Sequence, residues 1–505
     1  MKTSFAEQMK NMDYTAITEY KIPGIDLMER ASEAVFKRVI TICEENSFKS
    51  AVVVCGTGNN GGDGFAVARM LDTYGIEVKI ITVGNTEKIK GDALINFERA
   101  KQYGIEITSD SGSLNKCNLI IDAIFGTGFK GKPREEFAEV IEKINSAQKY
   151  VVSIDIPSGI NADNGKAEGA CVKANETVSF VMAKTGMLLY PAAMYCGKIT
   201  VTDIGMPTEL TENHIAPVCY LTHIEAKMLL PERKADGHKG SFGKVFVLAG
   251  SETMMGAAYF ASEAAYRTGC GLVYSCVPEE KVTYMQTMLP EAVVKPLKSH
   301  IGQFCAESYK DIKKDITSAK AVILGPGIGK GKVVTEFVDT VIRNCDRHLV
   351  IDADGLNAIA TDIKMLENIK VPSVITPHVM EMSRLTDLSI EEIKDNLIGC
   401  AKAFAKEHNV VVVLKDARTV IASPDGRAYI NLTGNTALSK GGSGDVLTGI
   451  IAGLIAQGME VFEASVLGAY IHGLSGEKAA EKYTQYSVLA RDIISFIPES
   501  IKTMV

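Results

Sequence analysis

Short apolar runs alternate with amphipathic segments along both halves of the chain. Near-continuous apolar strands separated by helices indicate parallel sheets that are covered on both faces. We therefore predict an α/β fold class throughout. The apolar runs predict strands at 50–55, 78–83, 118–124, 150–156, 244–249, 271–277, 321–324, 349–352 and 410–414.

The alternation lapses between about residues 205 and 231, where Met206-Pro207 and Ala216-Pro217 interrupt it. A chain of 505 residues is also too long for one ordinary core. We predict two domains, 1–215 and 225–505. Near the end of the second, Pro424-Asp425-Gly426 predicts a β-hairpin turn.

The composition limits the kinds of molecule that this protein is expected to bind. The net charge of -7 gives no electrostatic case for nucleic acid or an anionic membrane. No apolar run reaches the length of a membrane span, and the first residues do not resemble a secretory signal. Eleven cysteines without a Cys-x-x-Cys pair favour free thiols in a reducing compartment. We expect a cytoplasmic protein with small-molecule substrates.

The first chemical signal is a glycine-rich turn from Gly56 to Gly64 that follows a predicted strand. Its G-x-G-x-x-G spacing is typical of NAD-dependent dehydrogenases. Two details oppose that interpretation. The end of the next strand, 82–85, has no acidic residue to bind a ribose. Asp63 is also expected in the first helical turn, where its carboxylate would repel a pyrophosphate.

Two further strand ends carry aspartates beside loops of small residues. Asp122 precedes Gly126, and Asp155 precedes Ser158. Because parallel strands end at one edge of a sheet, these loops are expected to converge with the glycine turn. Carboxylate, amide and hydroxyl oxygens there would form a cage for a hard cation.

These motifs closely resemble the NAD(P)H-hydrate epimerases. The match includes Gly58–Gly64, Asp122–Gly128 and Asp155–Gly159, and it covers about residues 1 to 215. The resemblance implies a Rossmann-like, doubly wound sheet that interconverts the R and S forms of hydrated NADH or NADPH.

The same resemblance implies a set of site residues. A potassium ion (K⁺) is implied near Asn60, Asp122 and Ser158, and Asp155 is implied at the reacting ring. We hypothesise that Asp155 is the acid/base, because epimerisation at a hydroxyl-bearing carbon needs proton transfer. The implied substrate contacts are Asn59, Asn60, Gly61, Gly62, Asp63, Gly126, Thr127, Gly128, Phe129, Lys130, Gly131 and Lys132.

A second glycine-rich turn, Gly441–Asp445, opens a segment with helical apolar spacing from Val446 to Ile455. Free N–H groups and the helix dipole favour an anion at such a position. Asp445, just inside the helix, is placed to deprotonate a hydroxyl in line with a phosphoryl group. We predict one wide buried stripe along this helix.

The second half, from about 225 to 505, closely resembles the ADP-dependent NAD(P)H-hydrate dehydratases, relatives of ribokinase. The resemblance implies a three-layer α/β/α domain that converts the S hydrate and ADP to NAD(P)H, AMP and phosphate. It implies Ala257, Gly327, His378 and Asp445 at the hydrate, with Asp445 catalytic, and magnesium (Mg²⁺) with ADP. The implied nucleotide contacts are Lys415, Asp416, Ala417, Arg418, Thr419, Asn435, Thr436, Lys440, Gly441, Gly442, Ser443 and Gly444.

Two positions depart from the dehydratase pattern. Val379-Met380 stands where the family has Pro-Gly, and we expect a stiffer, reshaped turn after His378. Asp416 stands where glycine is usual, and it is expected to bring negative charge near the phosphates.

The leading interpretation is a bifunctional repair enzyme in which the epimerase supplies the epimer that the dehydratase uses. Its substrates would be hydrated NADH or NADPH and ADP, and the resemblance implies a homo-oligomer. The alternative is a ribokinase-like vitamin kinase, of the hydroxymethylpyrimidine type, fused to a non-catalytic nucleotide-binding module. The polar strand ends at Asp63, Asp122 and Asp155 argue against a pure binding module.

Overall fold

The computed structural model describes residues 1–505, and it divides into two compact units, Met1–Val218 and Cys219–Val505. Each unit is built on its own sheet. No helix in either unit is both long enough and apolar enough to cross a bilayer.

The first unit contains a seven-stranded, all-parallel sheet in the order β4-β3-β2-β5-β6-β7-β9. Strands β1 and β8 form a separate two-residue parallel pair. The strands are β1 (Thr3–Ser4), β2 (Ser50–Cys55), β3 (Glu77–Thr82), β4 (Glu106–Thr108), β5 (Leu119–Ala123), β6 (Tyr150–Ile154), β7 (Glu176–Phe180), β8 (Ala183–Lys184) and β9 (Lys198–Thr202).

Helices cover both faces of this sheet. Val53 and Ile121 pack in one hydrophobic cluster with α1 to α4, whereas Val52 and Ile120 pack in another with α5. Alternate strand residues are therefore buried on opposite faces, as a doubly wound fold requires. The helices are α1 (Ala6–Thr18), α2 (Gly24–Asn46), α3 (Asn59–Tyr74), α4 (Gly91–Gln102), α5 (Glu135–Ser146) and α6 (Thr208–Glu212).

The second unit contains a nine-stranded sheet in the order β12-β11-β10-β15-β16-β17-β18-β19-β20. It is parallel as far as β18, and the predicted hairpin adds β19 and β20 antiparallel. The strands are β10 (Lys244–Leu248), β11 (Leu272–Pro278), β12 (Val293–Leu297), β13 (Ser299–His300), β14 (Gln303–Phe304), β15 (Ala321–Leu324), β16 (His348–Ile351), β17 (Val374–Ile375), β18 (Val411–Leu414), β19 (Val420–Ala422) and β20 (Ala428–Ile430).

This sheet is also buried on both faces. Val245 and Val247 pack against α8, α16, α17 and α18, while the alternating Phe246 and Leu248 are fully buried on the other side. The helices are α7 (His223–Leu229), α8 (Met255–Thr268), α9 (Val282–Met288), α10 (Ser308–Ile312), α11 (Lys332–Asn344), α12 (Asp354–Ile359), α13 (Val379–Thr386), α14 (Ile390–Asp395), α15 (Leu397–His408), α16 (Ser443–Ala456), α17 (Val461–Ser487) and α18 (Ala490–Lys502).

Strand order reverses once in each parallel region, between β2 and β5 and between β10 and β15. Ligands of open α/β sheets collect at the carboxyl ends of strands near such a reversal. The glycine turn and both strand-end aspartates of the first unit lie at these ends, as do Asp352, His378 and Lys415 of the second. The α/β class predicted from the sequence is confirmed.

Two candidate active sites

Asp122, at the end of β5, is the fully buried centre of the first site. Its Oδ1 accepts a hydrogen bond of 2.6 Å from the Ser158 hydroxyl, and its Oδ2 accepts bonds from Ser153 Oγ and Ser158 N at 2.8 and 2.9 Å. Burial raises the pKa of Asp122, and these hydrogen bonds only partly oppose the increase. Its hydrogen-bond partners are all neutral.

Asn60 lies beside this carboxyl group, on the first turn of α3. Its Nδ2 donates to the Phe125 carbonyl at 2.9 Å, and its amide oxygen accepts no hydrogen bond. The cluster thus offers one negative charge and several neutral oxygens. That donor set suits a monovalent hard cation, because a single carboxylate needs one positive charge to balance it.

Asp155 follows β6 and has φ of 64°, an uncommon backbone conformation outside glycine. Its Oδ1 accepts from Ser179 Oγ at 3.2 Å and from Phe180 N at 3.4 Å. The Lys184 ammonium also donates to this oxygen. The structure therefore places Asp155 in a defined ion pair at the strand end.

Lys184 was missed by sequence reasoning. It belongs to the two-residue strand β8 and is only 1% exposed. Two residues give no periodic signal, and one lysine in an irregular segment suggests a surface position. A polar residue between apolar Met182 and Met187 is the only hint that the sequence offers.

The expectation that Asp63 lies in the first helical turn is wrong. Helix α3 begins at Asn59, so Asp63 is its fifth residue, and it is buried. Burial, followed by the charges of Asp155 and Asp13, raises the pKa of Asp63 well above its ordinary value. Asp13, which the sequence did not single out, has its pKa raised to about 6, mainly by burial.

Glycines in the first turn bring backbone segments together. A Cβ on Gly61 would stand 2.0 Å from the Gly56 carbonyl oxygen, and one on Gly62 would meet Ala93 and Met28. Gly61 and Gly62 are buried, whereas Asn59 is exposed at the helix N-terminus. In the predicted substrate loop, Phe129 stacks on Phe125 with ring centroids 4.5 Å apart.

The remaining members of that loop lie at the surface end of the same sheet edge. Gly131 has φ of 78°, a conformation that favours glycine. The other residues of the loop are exposed or half-buried: Gly126, Thr127, Gly128, Lys130 and Lys132.

In the second unit, a half-buried lysine joins the ends of two strands. Lys415 Nζ donates to Asp352 Oδ1 at 2.8 Å, and Thr448 of α16 donates to Asp352 Oδ2 at 3.1 Å. Burial alone would raise the pKa of Asp352, but Lys415 and the hydrogen bonds outweigh it and lower the pKa. A Cβ on Gly444 would stand 3.3 Å from Lys415 Nζ, so glycine admits this pair beside the loop.

Asp445 lies in the first turn of α16, next to that ion pair. Burial, together with the negative charge of Asp352, raises the pKa of Asp445 to about 7, and Lys415 opposes the increase. A carboxyl group that titrates near neutral pH suits a general base. All the predicted apolar positions of α16 are buried, and most of the other positions are too, so the helix is covered nearly all round.

His378 caps α13. Its Nδ1 accepts from Glu381 N at 3.1 Å, and Glu381 Oε2 accepts from His378 N at 2.8 Å. Burial and nearby Lys415 lower the pKa of His378, and burial raises that of Glu381 to about 7. Val379 and Met380, which follow His378, lie in regular helix with no positive φ.

The predicted nucleotide loop, 435–444, leads into α16. Gly442 has φ of 91°, and a Cβ there would be 2.7 Å from the Phe260 ring. Ser443 hydrogen-bonds His472 Nε2 at 3.1 Å, which ties the loop to α17. Burial lowers the pKa of His472 to about 4 and keeps it neutral. His472 is a second residue that the sequence did not indicate.

The other residues predicted to contact the nucleotide lie in this loop and in the β18–β19 bend. Asn435 Oδ1 accepts from Ala437 N at 3.0 Å, Thr436 hydrogen-bonds Gln485, and Lys440 donates to the Tyr486 carbonyl at 3.1 Å. In the β18–β19 bend, Arg418 donates to the Leu432 carbonyl. Asp416 Oδ1 lies 4.0 Å from Lys394 Nζ. Ala417 follows Asp416 in the bend, and Thr419 follows Arg418.

Gly327 and Ala257 lie against each other. Gly327 has φ of 63°, and a Cβ there would stand 2.9 Å from the Ala257 Cβ. Beyond Gly329 opens a cavity of about 570 Å³ between α11 and α12. Asp354 lines it and accepts a 3.0 Å bond from Gly329 N.

Known protein families match both units. A family described as YjeF-related protein N-terminus matches residues 24–186, and one described as NAD(P)H-hydrate dehydratase matches residues 245–499. A bifunctional NAD(P)H-hydrate repair enzyme of Moorella thermoacetica is 37% identical over 99% of this chain and 96% of its own length. The chain belongs to the bifunctional NAD(P)H-hydrate repair enzymes. Enzymes of this family epimerise hydrated NADH and NADPH and dehydrate the hydrate with ADP, and this chain carries both domains.

Solved structures match the second unit of this repair enzyme. A ribokinase-like superfamily protein from Enterococcus faecalis is 26% identical, covers 58% of this chain and 98% of its own, and gives a TM-score of 0.51. An ADP/ATP-dependent NAD(P)H-hydrate dehydratase from Bacillus subtilis, co-crystallised with ATP and Mg²⁺, is 30% identical. It covers 57% of this chain and 99% of its own, with a TM-score of 0.49. The vitamin-kinase alternative is not favoured, since the family match to the second unit is to dehydratases.

Proposed function

We propose that Asp445 is the general base of the dehydration. The observation that carries this proposal is the pKa of about 7 at a carboxyl group in the first turn of α16. A base is most effective when its pKa lies near the working pH. Gly441 and Gly442 precede the N-terminus of α16, where the helix dipole and backbone N–H groups favour the nucleotide phosphates.

In the proposed reaction, Asp445 accepts the proton of the ring hydroxyl while that oxygen attacks the terminal phosphorus of ADP. The bond from that phosphorus to the bridging oxygen breaks, and AMP leaves. The new phosphate ester then departs from the ring carbon with its bonding electrons, and loss of a proton from the adjacent carbon forms the double bond. The hydroxyl oxygen ends in inorganic phosphate, so the products are NAD(P)H, AMP and phosphate.

The electrostatics of the second unit favour magnesium with ADP. Asp352, Glu381 and Asp445 place three carboxyl groups around Lys415. An anionic polyphosphate approaching this set needs additional positive charge. A divalent cation bound with ADP would neutralise charge on the transferred phosphoryl group.

In the first unit, we assign Asp155 as the acid/base of epimerisation. The Asp155 carboxylate accepts the proton of the ring hydroxyl, the ring C–N bond breaks as the C=O bond forms, and the proton passes from Asp155 to the ring nitrogen. Rotation of the resulting aldehyde and reversal of the same steps on its opposite face give the other epimer and regenerate the carboxylate. The Asn59–Asp63 and Gly126–Lys132 loops border the same strand ends and would hold the substrate.

We assign potassium to the Asn60, Asp122 and Ser158 cluster. Its single buried carboxylate lacks a charged partner, and the Asn60 amide oxygen accepts no hydrogen bond. Bound there, the cation would fix the loops at the ends of β5 and β6, next to the substrate.

Single substitutions test the role of each carboxyl group. Asp445→Asn is expected to lower the rate of ADP-dependent dehydration of pure S hydrate by about 10²–10⁴-fold. The rate of epimerisation by the same protein, measured by chromatographic separation of the isomers, should be unchanged. A dehydration rate equal to that of the wild type would exclude Asp445 as the base.

A further inference from the structure

Lys184 is a buried cation that the sequence motifs do not contain. Besides Asp155, its ammonium donates to Ser179 Oγ at 3.0 Å and to the Phe180 carbonyl at 3.1 Å. An ammonium group has three N–H donors, and these three acceptors use all of them. The lysine is therefore fixed in position, and its side chain is only 2% exposed.

The two oxygens of Asp155 have different environments. Oδ1 accepts from Lys184, from Ser179 Oγ and from Phe180 N, whereas Oδ2 accepts no hydrogen bond. The Asp155 side chain keeps 14% of its surface exposed, in contrast to the buried lysine behind it. One oxygen is thus held by the protein, and the other is free to exchange a proton with a ligand.

We propose that Lys184 is a positioning residue of the epimerase site, which holds the Asp155 carboxylate through Oδ1 and leaves Oδ2 as the atom that transfers the proton. The proposal rests on the assignment of Asp155 as the acid/base. Lys184 does not touch the substrate and acts through the carboxylate.

Two other carboxyl groups face this pair. Asp13 reaches it from α1, and Asp63 reaches it from α3. Their own pKa values are raised, chiefly by burial and partly by the charge of Asp155. Without the lysine, three carboxyl groups would share one poorly hydrated space, and protonation of Asp155 would be favoured. Of these three carboxyl groups, Asp155 is the one to which Lys184 donates a hydrogen bond.

The test is the pH dependence of epimerisation by the full-length protein. Initial rates are measured from pH 5 to 9 with pure R hydrate for the wild type, Lys184→Met and Lys184→Arg. For Lys184→Met we expect the acid limb of kcat/KM to move up by at least one pH unit, with a tenfold or greater loss at pH 6 and partial recovery at pH 9. Lys184→Arg should keep the wild-type limb, because it keeps the charge.

Controls separate this effect from a general loss of structure. Dehydration of S hydrate by the same Lys184→Met protein should be unchanged, because that reaction uses the other unit. An equal loss at every pH, or an unshifted acid limb, would overturn the proposal. If Lys184→Met fails to fold, Ser179→Ala takes its place. Ser179→Ala removes the hydroxyl that also donates to Asp155 Oδ1, so the acid limb of kcat/KM should move up by less than in Lys184→Met. An unchanged acid limb in Ser179→Ala would count against the proposal.

Asp155→Asn distinguishes failure of this proposal from failure of the underlying assignment. Wild-type epimerisation by Asp155→Asn would remove the acid/base role itself. An inactive Asp155→Asn together with an unshifted Lys184→Met would reject only the role of the lysine.

Discussion

At the scale of single residues, the partners of two neighbouring carboxyl groups shift their pKa values in opposite directions. Asp352 and Asp445 are both largely buried and lie close together in the second unit. Asp352 has Lys415 as a direct donor and stays ionised, whereas Asp445 has no such donor and titrates near pH 7. Environments that separate the pKa values of two acids are a recurrent way to assign their roles.

The pH dependence of dehydration follows from the raised pKa of Asp445. A base must be ionised, so kcat/KM should rise as the pH increases through about 7. At pH 5 only about 1% of such a group is ionised, and the rate should be about 100-fold below that at pH 9. Initial rates with S hydrate and ADP check this, and a flat profile from pH 5 to 9 would contradict it.

The same pKa has a consequence for stability. A carboxyl group whose pKa rises from 3.8 to about 7 on folding stabilises the fold below pH 3.8, and this stabilisation is lost as the pH rises through 7. Asp445→Asn should therefore stabilise the protein at pH 8, by at most about 4 kcal/mol, and much less at pH 4.5. Urea unfolding at both pH values measures the difference. An equal change in the free energy of unfolding at both pH values would show that the pKa of Asp445 is not raised.

Potassium binding at Asp122 makes a separate prediction. Wild-type protein should melt at a higher temperature in potassium chloride than in choline chloride at equal ionic strength, because the ion binds only the folded state. Asp122→Asn should abolish the difference, which amounts to about 2–4 °C for each kcal/mol of binding in a unit of this size. The exposed Asp72→Asn is the control and should retain it. A potassium effect that survives in Asp122→Asn would place the ion elsewhere.

At the scale of elements, small residues allow helix α16 to approach α8. A Cβ on Gly449 would lie 2.3 Å from the Ala261 carbonyl oxygen and 2.7 Å from the Ala264 Cβ. Gly453 meets Ala265 in the same way, one turn further on. This close contact holds the N-terminus of α16, and therefore Asp445, against the sheet.

Gly449→Ala tests that packing. Replacing a helical glycine by alanine ordinarily stabilises by about 1 kcal/mol, but overpacking against backbone costs about 1–3 kcal/mol. We expect net destabilisation, seen as a lower urea midpoint. Gly441→Ala, whose Cβ would have no atom within 4 Å, should change stability by less than about 0.5 kcal/mol. A stabilised Gly449→Ala would contradict the close approach.

Elements differ in how far the sequence could predict them. Strands such as β2 and β15 end where their apolar runs end, because a buried strand needs continuous apolar residues. Helix α3 begins at Asn59, so Asp63 lies beyond the first turn in which the sequence placed it. The first residues of this helix are asparagine and glycine, which carry a weak helical signal. Lys184 and His472 were missed, since their roles depend on long-range contacts with Asp155 and Ser443.

At the scale of the whole molecule, each unit carries its own sheet, its own reversal of strand order and its own set of buried carboxyl groups. The sequence predicted both sheets, because each depends on local periodicity. It predicted that the glycine turn and the aspartate loops lie at one edge of the sheet, because parallel strands end at one edge, and the structure places them there. It did not predict protonation states, which depend on burial and on charges distant in the chain.

The central claim is that two separate carboxyl groups, Asp155 and Asp445, perform consecutive steps on one damaged cofactor. Its most direct test is the recovery of absorbance of reduced nicotinamide from an equal mixture of R and S hydrates with ADP and Mg²⁺. Wild-type protein should restore the full absorbance. Asp155→Asn should rapidly restore only the part of the absorbance that comes from the S hydrate, and Asp445→Asn should restore almost none. Full recovery by Asp155→Asn at the wild-type rate, or any rapid recovery by Asp445→Asn, would contradict the claim.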